Sequence, residues 1–116
     1  MKQITEITNE YKQKLQPVLE TGEEFTLQLK YSSQQNCWFA NILYSNFEIK
    51  NVKLVLSSNL LYQWKNILPF GLMIVSTDTT PKSSDPFLLS DLTERVNIFI
   101  LNKEEISEIE NIVNNG

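Results

Sequence analysis

From Phe25 to Tyr31 apolar and polar residues alternate without a break: Phe25, Leu27, Leu29 and Tyr31 fall in one phase, Thr26, Gln28 and Lys30 in the other. A period of two predicts a strand with one dry face and one wet face. Upstream, Leu15, Pro17 and Leu19 keep the same alternation, and Gly22 in the intervening Glu20-Thr21-Gly22-Glu23 stretch supplies a residue tolerant of positive φ. Residues 11–31 are therefore expected to form a β-hairpin. Pro17 has no N–H to give to a ladder, which places the first strand at an edge or beside a bulge.

The polar run 32–36 predicts a turn, and Cys37 to Tyr44 a strand apolar on nearly both faces that belongs in the middle of the domain. Beyond it, Phe47 and Ile49 hold one phase while Val52, Leu54 and Leu56 hold the other. The slip at Lys50-Asn51 predicts an inserted residue that bends the strand. Between Asn59 and Leu68 the period changes: Leu60, Leu61, Trp64, Ile67 and Leu68 recur every three or four residues behind Ser57-Ser58-Asn59. This spacing predicts a short amphipathic helix, ended by Pro69 and Gly71. Leu72 to Val75 reads as a buried strand, and 76–94 as a long connection pinned near its middle by the apolar Phe87-Leu88-Leu89 island. Arg95 to Leu101 is a last, central strand. Asn102 and Glu105 then have the spacing of a reciprocal N-cap, opening a terminal helix striped by Ile106, Ile109, Ile112 and Val113.

Together these elements predict a mainly β fold: a small antiparallel barrel or sandwich of about six or seven strands, with one short internal helix and a C-terminal helix. One domain is expected over 1–116, made of an N-terminal segment (1–10), a β body (11–101) and the terminal helix (102–116). The candidate core is Phe25, Leu27, Tyr31, Trp38, Leu54, Leu60, Leu61, Trp64 and Ile98.

Composition narrows the chemistry. There is no histidine and a single cysteine, Cys37. A structural zinc site and a Cys-His nucleophile are thereby excluded, and the best proton-transfer group near neutral pH is missing. A lone cysteine forms no internal disulfide and fits a protein made in a reducing cytoplasm. No metal or cofactor site is predicted, and the three glycines form no phosphate-cradling loop. Glu23, Glu24, Asp85, Asp91, Glu104 and Glu105 could supply a carboxylate pair, but all sit in polar turns or at a helix start, where solvated charges and caps are expected. The chain is thus expected not to be an enzyme. Apolar runs are too short to cross a bilayer.

The net charge is −4, and Lys12, Lys14, Lys30, Lys50, Lys53 and the other cations are dispersed along the chain. Direct nucleic-acid binding is not expected from so dispersed a set. An alternative function is a small β-barrel ligand- or carbohydrate-binding module displaying Trp38, Tyr62 or Trp64 at its mouth.

The order of features adds a family. Leu15 to Leu19, Gly22, Phe25 to Tyr31, Trp38 to Ile42, Val52-Lys53-Leu54-Val55 with Asn59-Leu60-Leu61, Gly71 to Val75, and Val96 to Phe99 together resemble the phage baseplate central plug family of cyanophage contractile tails. The resemblance covers about residues 11–101. Asn51 stands where a glycine is expected before the Val-Lys-Leu-Val strand, and the helix after 102 runs past the family's usual end. The resemblance implies a structural virion component of the tail baseplate, assembled in the host cytoplasm, that plugs or braces the central channel. Its implied partners are hub, spike and tail-tube proteins, with a threefold homo-oligomer possible. It also implies that net acidity keeps such a plug from trapping passing DNA. Candidate partner contacts are Phe87 and Leu88 in the long connection and Ile106 and Ile109 on the terminal helix.

Overall fold

The computed structural model describes residues 1–77, 85–86 and 89–115, with side chains as far as residue 111. Seven strands form two antiparallel sheets. β1 (Lys2–Gln3), β7 (Val96–Leu101) and β6 (Gly71–Ser76) lie in that order in one; β2 (Lys12–Leu15), β3 (Thr26–Ser32), β4 (Cys37–Tyr44) and β5 (Phe47–Lys53) form the other. Neither sheet closes on itself, so the sandwich expectation holds and the barrel does not. The edges that a barrel would abolish remain, at β1, β6, β2 and β5.

The predicted hairpin is present. Lys12 faces Lys30 and Leu15 faces Leu27, and a bridge from Val18 to Glu24 extends the pairing to the turn. Gly22 closes that turn at φ 91°. Pro17 lies on the sheet edge, where it lends its carbonyl to the Phe25 N–H at 3.2 Å. β4 and β7 both lie in the interior of their sheets, as their two-sided apolar character requires, and β3 is interior beside β4.

The phase slip is a β-bulge. Ala40 pairs with Val52 and Ile42 with Ile49, so Lys50 and Asn51 together oppose Asn41. Asn51 takes φ 58°, and its N–H donates to Asn41 Oδ1 at 2.7 Å. Asparagine is among the few side chains that tolerate this left-handed conformation, so the bend is kept without the expected glycine. Past the bulge the chain crosses between sheets: Leu54 N–H bonds the Trp38 carbonyl at 2.9 Å, and Ser57 then bridges Ile74 on β6.

The short amphipathic helix of 59–68 is corrected to a string of turns with a single 3-10 turn at Tyr62–Trp64. Asn59 causes the difference. Instead of capping a helix, its Oδ1 accepts from Leu61 N–H at 3.0 Å and from Leu72 N–H at 3.2 Å, tying the turn to β6. This is the competition between a short polar side chain and helical bonding. A Cβ on Gly71 would stand 2.6 Å from that same Oδ1, so glycine is required there.

One apolar cluster joins the sheets. Phe25, Leu27, Leu29, Trp38, Ala40 and Ile42 from the four-stranded sheet meet Leu72, Ile74, Val96, Ile98 and Ile100 from the other. Phe25 stacks on Phe70 with centroids 4.3 Å apart, and Tyr44 meets the same ring edge-on at 5.6 Å. Of the candidate core, Phe25, Leu27, Trp38, Leu54, Leu61 and Ile98 are fully buried, while Tyr31, Leu60 and Trp64 are half-buried at its margin. The N-terminal segment also belongs to this body: β1 pairs with β7, and Ile4 is buried.

The polar connection holds a short helix that periodicity did not reveal, α1 (Asp91–Glu94). Asp91 is 3% exposed and receives two bonds from Arg95, at 3.2 Å from Nε and 3.0 Å from a terminal nitrogen. The expectation of a solvated Asp91 is therefore corrected: it is a buried ion-pair partner at the entrance to β7. Nearby, Asp85 accepts from Leu56 N–H at 2.8 Å, and Pro86 is buried.

Candidate interaction surfaces

The terminal helix α2 (Lys103–Asn115) is opened by the predicted reciprocal cap. Asn102 Oδ1 accepts from Glu105 N–H at 2.8 Å, and Glu105 Oε1 from Asn102 N–H at 3.1 Å. The other Glu105 oxygen meets the Met1 ammonium at 2.7 Å. Burial works against the charged carboxylate, but hydrogen bonds from that ammonium and from Asn102 N–H, with the ammonium charge, win and lower the Glu105 pKa.

Farther along, Glu110 pairs with Lys65 at 2.8 Å. Hydrogen bonds to Glu110 and then Tyr62 raise the Lys65 pKa against a smaller desolvation cost. The helix is thereby tied to the 62–65 turn, and Ile106 is buried at 7% exposure. Its remaining surface lines a groove between α2 and the 57–62 segment. Ile109 is half-buried and lines a shallow groove with Ser57, Tyr62 and Glu110. Phe87 and Leu88 lie outside the described residues, as do the side chains of Ile112 and Val113.

Apolar contact surface is nonetheless available. Tyr62 is 55% exposed and Ile67 57% exposed, both on the turn that replaces the expected amphipathic helix, whose apolar stripe included Ile67. A helical phase would have turned Ile67 inward; the turn geometry turns it out. A second feature is a cleft of about 460 Å³ where β1, the 18–21 turn, Pro69-Phe70, the end of β7 and the start of α2 meet. Its wall is mostly apolar, with Lys2 Nζ donating to the Val18 carbonyl at 3.2 Å and Asn102 Nδ2 to Glu20 at 3.2 Å.

None of this resembles a barrel mouth. Trp38 is fully buried against Tyr31, and Trp64 is half-buried against the core. Among the described residues no cluster of His, Cys, Asp and Glu has a metal-binding arrangement, and no helix is long and apolar enough to cross a membrane.

The fold is thus that of a small two-sheet β protein whose features are packing and contact surfaces. The chain belongs to the family described as cyanophage baseplate Pam3 plug gp18, whose model matches residues 1–104. The match begins at the first residue and includes β1, which the hydrophobic pattern left as a separate segment; it stops two residues into α2. A comparison with curated individual proteins finds no match.

Proposed function

We propose that the protein is a structural baseplate component that fills or braces the central channel by contact with hub, spike and tail-tube proteins, and that it acts without turnover. The observation that carries the reading is the family match across both sheets, residues 1–104. The body suits such a task. Its two sheets share one core, so a load on either is passed to the other through close-packed side chains.

The contacts we assign are Tyr62 and Ile67 on the exposed turn and Ile106 and Ile109 of α2, which line a groove with Tyr62, together with Phe87 and Leu88 of the long connection. Exposed aromatic and aliphatic side chains of this kind become the buried anchors of protein interfaces.

Co-expression with the hub, spike and tube proteins of the same tail tests this. A stable complex is expected, weakened about ten-fold or more by Ile67→Asp with Tyr62→Asp. Failure to associate with all of them would overturn the reading.

A further inference from the structure

Dispersed in sequence, the lysines are gathered by register. The strands of the four-stranded sheet carry five lysines, Lys12, Lys14, Lys30, Lys50 and Lys53, and one carboxylate, Glu48. That is half of the chain's ten basic side chains, in a protein with fourteen acidic ones.

All five are exposed and lie on the face turned away from the core. Lys12 pairs with Lys30, Lys30 with Phe39, and Phe39 with Lys53, so one row crosses all four strands as Lys-Lys-Phe-Lys. Directly paired residues share a face, with Cβ atoms roughly 5 Å apart. Two further strands put Lys53 about 10 Å from Lys30. Lys14 sits one pleat along from Lys12, and the bulge presents Lys50 at the other edge of the sheet, in the row that Lys14 begins and 3.5 Å from Glu48. The next row places the amides of Gln28 and Asn41 together at 3.3 Å.

Two features make this more than a solvated edge. Lys12 and Lys30 are like charges placed directly opposite one another, an arrangement that costs stability. Among the described residues, neither they nor Lys14 and Lys53 form an ion pair. An anion lying across the row would relieve that repulsion. The second feature is Phe39, half-buried between two lysines, which gives the charged row an apolar, π-faced centre.

We infer that this outer face binds the phosphodiester backbone of a nucleic acid, without base specificity. Lysine is a flexible point charge suited to phosphates, and it is depleted at the cores of protein–protein interfaces, so an acidic protein surface is the poorer occupant. A basic sheet face with an interleaved aromatic is the footprint of backbone and single-strand binding. The expectation of repulsion from nucleic acid describes the molecule's net charge and not this face. The inference is independent of the baseplate contacts, which use the turn and α2.

Fluorescence anisotropy of the full chain against a labelled single strand and the matching duplex tests it, with poly-glutamate and anionic phosphatidylserine vesicles as comparison ligands. Binding is expected at low salt, with log K falling against log salt at a slope of about −3 for the single strand or −4 for the duplex, and the tighter arm identifies the form bound. Lys12→Gln with Lys30→Gln should remove about 1.5 units of slope and lower affinity about ten-fold or more, while Lys103→Gln on α2 changes neither. Because the double variant also relieves repulsion, its melting temperature should be equal or higher, which separates lost binding from lost folding. Absence of binding to both nucleic acids, a slope unmoved by the double variant, or tighter binding to poly-glutamate or vesicles would overturn the inference.

Discussion

The two sheets turn different faces outward. On the three-stranded sheet the outward row is Gln3, Phe99 and Met73, with Val75 beyond, largely apolar and half-buried. On the four-stranded sheet the corresponding row is Lys12, Lys30, Phe39 and Lys53. Both sheets feed the same core with their inner faces, so the core alone does not dictate what stands outside. Stability constrains one face of each strand, and the other is free to carry contact chemistry.

That contrast orders the expected effects of substitution. The largest belongs to the three-stranded sheet, where Asp91 and Arg95 hold the entrance to β7: Asp91→Asn takes the charge from a buried carboxylate that pairs with the partly buried Arg95 guanidinium and should cost about 3 kcal/mol by denaturant unfolding. Next is Gly71→Ala at the start of β6, which drives a Cβ into Asn59 and displaces both bonds to Leu61 and Leu72. A loss of about 2–3 kcal/mol is expected in the same assay. On the four-stranded sheet the sign reverses: Lys30→Gln should stabilise by about 0.5 kcal/mol, because it removes a like-charge pair. A destabilising Lys30→Gln would erase the distinction between the two faces.

The smallest effect is a pH dependence at α2. The Glu105 pKa is lowered in the folded protein, so its contribution is present above the ordinary glutamate range and is lost as pH falls through the depressed value. Melting followed from about pH 6 to about pH 3 should show this loss, and Glu105→Gln should flatten it.

Much of the fold was legible because its signals are local. The Phe25 to Tyr31 alternation, the phase slip at Asn51 and the Asn102–Glu105 spacing each appear in the structure as a strand, a bulge and a cap. The 59–68 segment misled because a three-and-four spacing also fits successive turns, and nothing local distinguishes an Asn59 that caps a helix from one that reaches Leu72 across the domain. The same limit hid the lysine row. Lys12 and Lys30 are both polar-phase members of the predicted hairpin, so their pairing could have been found by writing out its register; Lys53 joins only through β4 and the bulge. Asp91 offered no such signal, since its burial depends on Arg95 and on how the long connection folds back.

Electron cryomicroscopy of the assembled tail tests the central claim most directly. Density for this two-sheet body is expected on the tail axis at the baseplate, in contact with tube and hub. Virions complete and infectious without the chain, or the chain found elsewhere in the particle, would contradict it.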